Sequence, residues 1–274
     1  RLSQCLDASV ATSAPDLAGV TRNFNAWSAN SKFYLIDTTK RSFNPAFDPI
    51  NDPHGAISIF DARLVTQDKL QTIYLIESAS VSDWLSDGVS ALFNFSQTYD
   101  YFLERHNRNS LDGEGGNIKA AVRVAGMENA FWNGQAKIMV FGNAEPYANA
   151  IDVVGHELAH GVTQFSADLI YELQSGALNE SFSDIFGEMV EARVEGRNDW
   201  KLGSKLREIL RDMKDPGSIQ IGGLNRPYPA KMSEYVDLPN SNERDHGGVH
   251  LNSSIINHCF YLLAEGLPGA LGLG

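Results

Sequence analysis

The apolar spacing of this chain changes once, near residue 150, and that change limits the folds open to it. Between about 20 and 80 the apolar residues come in short runs such as Lys32-Phe33-Tyr34-Leu35-Ile36 and Thr72-Ile73-Tyr74-Leu75-Ile76. Clusters of turn formers such as Asn51-Asp52-Pro53-His54-Gly55 separate them. That is strand and turn chemistry. The spacing over 84–107 is helical, with Trp84, Val89, Leu92, Phe93, Tyr99 and Phe102 as apolar contacts, and Asp112-Gly113-Glu114-Gly115-Gly116 then breaks the chain. Strands are expected near 118–125 and 137–141, and helices over 151–166, 176–196, 203–213 and 248–264. A β-rich part followed by an α-rich part is an α+β arrangement, with room for a cleft between lobes. The chain divides into a lead-in segment at 1–18, a β-rich N-terminal lobe over 19–150 and an α-helical lobe over 151–274. The lead-in is small, polar and weakly periodic, and it is read as extended or poorly ordered.

Charge narrows the partners. Lys and Arg number 22 against 34 Asp and Glu, a formal net charge of −12. Nucleic acids and anionic membranes are bound by clustered Lys and Arg, so neither is an expected partner. No apolar run reaches the roughly 18 residues that cross a bilayer. Cys5 and Cys259 form no CxxC pair and no disulfide framework. Cys259 lies in the apolar run 255–263 and is read as a buried free thiol.

The chemistry gathers on His156-Glu157-Leu158-Ala159-His160. Positions i and i+4 share one helix face, so the two imidazoles project side by side, about 6 Å apart by helical rise. Two imidazoles so placed can share a tetrahedral metal, and Glu157 beside the first can reach a metal-bound water. Five residues alone occur by chance, and the context supplies more. The helical stretch 176–184 carries Glu180, a third donor that makes a His2Glu set with one position left for water, as a catalytic zinc needs. Asp184, one turn on, can accept the distal N–H of a zinc-bound histidine. His250 lies downstream in a Gly-flanked segment, free to donate a hydrogen bond.

Four segments carry a family resemblance: Asn129-Ala130-Phe131-Trp132-Asn133-Gly134, residues 153–163 around the two histidines, residues 175–184 around Glu180, and Gly247-Gly248-Val249-His250-Leu251-Asn252-Ser253. In order and spacing they closely resemble the thermolysin-like neutral metallopeptidases. The resemblance implies one catalytic zinc on His156, His160 and Glu180, with Glu157 as general base. It implies Tyr171 and His250 as donors to the oxyanion, and Asp245 as the carboxylate that orients His250. Asn129 and Ala130 match the edge that holds the substrate backbone, with Phe131 and Trp132 supporting it as packing, and Arg211 matches the arginine that binds a substrate carbonyl. Val153, Leu202 and Leu210 correspond to walls of an apolar pocket for the residue after the cut. Cleavage before Leu, Phe, Ile or Val is therefore expected.

The resemblance further implies one structural calcium on Asp152, Glu188, Glu191 and Asp199, completed by the Lys201 carbonyl. Two-calcium members carry acids where this chain has Lys201 and Ser204, which argues against a second adjacent ion. Family members are secreted, act on protein and peptide substrates, and are usually made with an inhibitory propeptide; a monomer is expected. Their chains run on past the position matching Gly274 through further helices, so the lobe over 151–274 reads as C-terminally incomplete. Two other readings stand beside this one. Aminopeptidases with a His2Glu site commonly place the glutamate one residue nearer the second histidine, and need acids to hold a substrate amine; Asn129-Ala130 and Arg211 favour internal cleavage. An inactive protein keeping the fold has no need of Glu157, Tyr171 and His250 together.

Overall fold

The computed structural model describes residues 7–266. Among these residues ten strands and one α-helix precede the helix that carries His156 and His160: β1 (Ala8–Pro15), β2 (Thr21–Ala29), β3 (Lys32–Tyr34), β4 (Ile36–Asp37), β5 (Ile57–Asp61), β6 (Tyr74–Leu75), β7 (Glu77–Ser78), α1 (Ser86–His106), β8 (Ile118–Val124), β9 (Ala130–Asn133) and β10 (Ile138–Gly142). They form two sheets. One runs β1-β2-β3-β7; the other runs β4-β5-β8-β10-β9, with β6 pairing β5. The β5–β8 and β8–β10 pairs are parallel, whereas β9 is antiparallel to β10 and stands at the sheet's edge.

The alternation of strand residues sends Ile57, Ile59, Ile118, Ala120, Val122, Met139 and Phe141 into one core with Val89, Leu92, Phe95, Tyr99 and Phe102 of α1. Phe95 meets Phe141 edge-on, with ring centroids 5.9 Å apart. Each of the Val, Leu, Ile, Phe and Met side chains among them, fully buried, contributes ~1.5–3 kcal/mol. This core backs α2 (Ile151–Gln164), in which every residue except His160 and Gln164 is buried. A helix apolar nearly all round belongs inside a protein, and its few polar side chains must then find partners or ligands.

α3 (Leu173–Glu195) crosses α2 at a glycine contact. A Cβ added at Gly155 would lie 3.0 Å from the Gly187 Cα, and one at Gly187 would lie 2.3 Å from the Asp152 carbonyl oxygen. Only glycines allow so close a crossing, and it fixes where the acids of α3 fall relative to the histidines of α2. β11 (Lys201–Leu202) and β12 (Arg211–Asp212) then form a small antiparallel hairpin. α4 (Asp245–Glu265) opens with His246, Gly247 and Gly248 in the left-handed region at φ 47°, 90° and 79°. Regular helix follows from Val249, and the left-handed turn folds Asp245 back beside His250.

The α+β class and most expected elements are found in place. Two expectations differ and a third is narrowed. Ala8–Pro15, within the lead-in expected to be extended or poorly ordered, is extended and pairs with β2 along its whole length, from Ala8↔Ser28 to Pro15↔Thr21. It is a largely exposed edge strand, so no strict alternation was required of it. The helix expected over 203–213 is absent. The chain instead makes turns and the β11–β12 hairpin, because Arg211 and Asp212 are drawn into the interior and tertiary contacts override local propensity. Cys259 is exposed rather than buried, since it shares the outward stripe of α4 with Ile256 and Leu263. Cys5 and the Gly-rich end from Leu267 lie outside the described residues. No helix among the described residues is long and apolar enough to cross a membrane.

Candidate active site

His156 and His160 leave α2 on the face turned toward α3, and Glu180 meets them from α3. His156 Nε2 and His160 Nε2 are 2.9 Å apart, and Glu180 oxygens lie 3.5 Å and 3.3 Å from them. Ligands of a tetrahedral zinc at the usual bond lengths stand about 3.4 Å from one another. The two nitrogen–oxygen distances match that spacing and the nitrogen–nitrogen distance is shorter, and the three donors are one of two groups among the described residues able to hold a metal. Glu180 Oε2 and Glu157 Oε2 are buried without a hydrogen-bond partner. Buried carboxylate oxygens left this way are costly unless an ion or substrate answers them. The donor set therefore fits zinc.

Each donor is aimed by a neighbour. His156 Nδ1 is 2.8 Å from Asp184 Oδ1, and His160 Nδ1 is 2.8 Å from Asn179 Oδ1, with Ser183 Oγ 3.1 Å away. An acceptor at Nδ1 places that ring's proton there and leaves the Nε2 lone pair facing the site. Asp184 is itself held by Arg211, which donates two hydrogen bonds of 2.6 Å, and by the Asn257 amide at 2.7 Å. Burial pushes the Asp184 carboxyl up, but Arg211 and His156 outweigh it and hold it down at about 2. Burial raises Glu157, which His156 and His160 only partly offset. The Trp132 backbone also hydrogen-bonds to Glu157.

Tyr171 and His250 close the site from the other side. The Tyr171 hydroxyl donates to Glu180 and lies 3.2 Å from His250 Nε2. Asp245 accepts from both the backbone N–H and Nδ1 of His250. Two hollows adjoin the triad. One of about 550 Å³ is bordered by Asn129, Ala130, Trp132, Gln164, Asp168 and Ile170. The other, about 220 Å³, is bordered by Asn129, Ala130, Val153, Leu202, Leu210 and Arg211. The residues expected to hold substrate are thus brought together around the triad.

The second donor group is Asp152, Glu188 and Glu191, all buried. Both Glu188 carboxylate oxygens and Glu191 Oε1 lack partners. Burial, with Asp152 and other acids nearby, pushes Glu188 up to about 10 and Glu191 up to about 8. Hard oxygen donors crowded this way suit a cation such as calcium. Asp199 adds to their repulsion but is not in the group, and its Oδ1 accepts from the Lys201 N–H at 3.0 Å.

Sequence reasoning missed Asn179, Ser183, Asn257 and Gln164. A signal existed for Asn257, an amide inside the apolar run Ile255–Leu263, because a polar side chain there must be buried and bonded. The others sit at helix positions where an amide or hydroxyl reads as an ordinary solvated residue.

A two-lobed α+β fold with a His2Glu donor set in the cleft between lobes is the architecture of a metallopeptidase. The family model for the thermolysin metallopeptidase catalytic domain matches residues 12–164, and that for the thermolysin metallopeptidase alpha-helical domain matches 167–272, so the chain belongs to the thermolysin metallopeptidase family. An extracellular metalloprotease of Pectobacterium carotovorum is 45% identical over 191 residues, covering 63% of this chain and 53% of its own length. A zinc metalloproteinase of Listeria monocytogenes is 35% identical over 251 residues, covering 88% of this chain and 44% of its own. The chain thus spans about half the length of these relatives. The solved precursor of protealysin, a metalloproteinase from Serratia proteamaculans, superposes with a TM-score of 0.64 at 38% identity, over 76% of this chain and 67% of that one.

Proposed function

We propose that this protein is a zinc-dependent endopeptidase that cuts peptide bonds on the N-terminal side of bulky hydrophobic residues. The observation that carries the reading is the convergence of His156, His160 and Glu180 beside the buried Glu157, whose Oε2 has no hydrogen-bond partner, at the floor of a cleft. A zinc ion held by that triad supplies a Lewis acid that acidifies water and polarises the scissile carbonyl. Glu157 takes the proton of the attacking water and passes it to the leaving amine; its burial raises its basicity toward the range a general base needs. Tyr171 and His250 donate to the oxygen on which negative charge develops, and Asp245 fixes the His250 ring for that role. Asp184 orients His156.

Asn129 and Ala130 at the head of β9 hold the substrate backbone as an added strand. Arg211 lines the smaller hollow and binds the carbonyl beyond the cut, while Val153, Leu202 and Leu210 form the apolar wall for the side chain that follows it. One calcium on Asp152, Glu188 and Glu191, with Asp199 and the Lys201 carbonyl, braces the α2–α3 crossing. A secreted monomer acting on proteins and peptides, kept silent at first by a propeptide, fits relatives named as extracellular and as a precursor. Digestion of a diverse peptide mixture followed by mass spectrometry tests the reading. Cuts before Leu, Phe, Ile and Val, stopped by a zinc chelator, are expected. A basic or acidic preference after the cut overturns the pocket assignment, and release of single N-terminal residues only favours an aminopeptidase.

A further inference from the structure

The edge strand β9 has one strand neighbour, β10, and its other edge faces the cleft. Backbone pairing therefore fixes its distance from β10 but not from α2. That second distance matters, because a peptide lying along β9 must present its carbonyl to groups that stand on α2. The Trp132 backbone bond to Glu157 ties the strand to the helix at one point.

Gln164 makes a second tie. It is the last residue of α2 and lies two turns beyond Glu157, so it shares the same stripe of the helix. Its Oε1 accepts the indole N–H of Trp132 at 2.7 Å, and its Nε2 donates to the Gly134 carbonyl at 3.3 Å. One amide thus grips the strand on both sides of Asn133. The fit is close, since a Cβ at Gly134 would fall 2.3 Å from Gln164 Oε1. Trp132 in turn lies over Gly161 of the same helix, where a Cβ would stand 3.5 Å from its ring.

The clamp acts on one side of the site only. Trp132, Gly134 and Gln164 border the larger hollow and not the smaller one that Val153, Leu202 and Leu210 line. Given the peptidase reading above, on which this inference rests, the smaller hollow takes the residue after the cut, so the clamped stretch faces the residues before it. We propose that Gln164 is a positioning residue that clamps β9 to the zinc-bearing helix and so places the substrate residues preceding the scissile bond. It touches none of the reacting atoms; its effect runs through Trp132 and Gly134.

The test compares the zinc-loaded protein with its Gln164→Leu and Gln164→Glu variants on two peptides cut at the same bond. One peptide extends several residues before the cut and the other carries only a blocking group there. Gln164→Leu is expected to lower kcat/KM roughly tenfold on the long peptide and less than about threefold on the short one, the loss of one or two hydrogen bonds. Gln164→Glu keeps the acceptor for Trp132 but loses the donor to Gly134, so it recovers the part of the loss that the Trp132 bond carries. Trp132→Phe removes the same hydrogen bond from the other end and shifts the long-to-short ratio in the same direction, which keeps the question decidable if Gln164→Leu does not fold. A ratio equal to that of the unaltered protein in these variants overturns the clamp, since a merely structural role lowers both substrates together. Failure of the unaltered, zinc-loaded protein to cut either peptide overturns the peptidase reading instead.

Discussion

Two donor groups stand on the same crossing of α2 and α3, and they are held in opposite ways. In the histidine triad almost every polar atom that does not face the metal position already has a partner: Asp184 for His156, Asn179 for His160, and the Tyr171 hydroxyl for Glu180. In the group Asp152, Glu188 and Glu191, by contrast, only Asp152 is met by donors, the Val153 and Gly203 backbone N–H groups, while both Glu188 oxygens and Glu191 Oε1 have none, and burial with mutual repulsion drives Glu188 and Glu191 far above the usual carboxylate range. The first group is shaped by the protein before an ion arrives. The second is forced together by the scaffold, and the calcium proposed above would relieve its repulsion. A preorganised site serves chemistry, because the geometry costs nothing at the moment of reaction. A frustrated site serves stability, because binding free energy goes to the folded state.

That contrast can be broken by separating activity from stability. Chelating zinc alone is expected to lower peptide cleavage by roughly 10³-fold or more, as loss of a Lewis acid worth several kcal/mol implies. The melting temperature moves far less. Zinc loss that unfolds the protein at ambient temperature contradicts the idea of a triad held by its own neighbours. The reverse pattern is expected of Glu188→Gln. It abolishes the calcium-dependent rise in melting temperature, which mass action sets at about 2.7 kcal/mol for ligand at a hundredfold excess over Kd, and it leaves initial cleavage rates nearly intact. Calorimetry with and without calcium, beside a cleavage assay, reads both. Asp184→Asn removes the charge that His156 and Arg211 share, and zinc affinity is expected to fall about 10–100-fold in a competition titration with a chromophoric chelator. The smallest effect belongs to Asn179→Ala. Ser183 Oγ stands 3.1 Å from the same His160 nitrogen and can take over, so a loss of only about threefold is expected in the same titration.

The same contrast explains which parts of the molecule were legible in the sequence. His156, His160 and Glu157 announce themselves because helical spacing converts sequence separation directly into geometry. Glu180 and Asp184 follow, since they are one turn apart on a second helix. The sheet order could not be read, because strand pairing is set by contacts far apart in sequence. The stretch 203–213 was misread for a related reason. Its apolar spacing suits a helix, yet burying Arg211 against Asp184 and Leu202 beside Leu210 requires a hairpin. Asn257 stands out only as an amide in an apolar run, and the supporting amides Asn179 and Gln164 carry no signal of their own; the roles of all three exist only once α2, α3, α4 and β9 have met. Cys259 shows the limit of composition, since an apolar run on a helix includes residues that face outward.

The most direct measurement is zinc content and peptide cleavage together in Glu157→Gln. The substitution keeps the shape of the side chain and leaves His156, His160 and Glu180 in place. One zinc per chain with cleavage reduced by at least roughly 10²-fold, the usual weight of a general base, is expected. Full cleavage with zinc still bound contradicts the role assigned to Glu157 and the mechanism built on it.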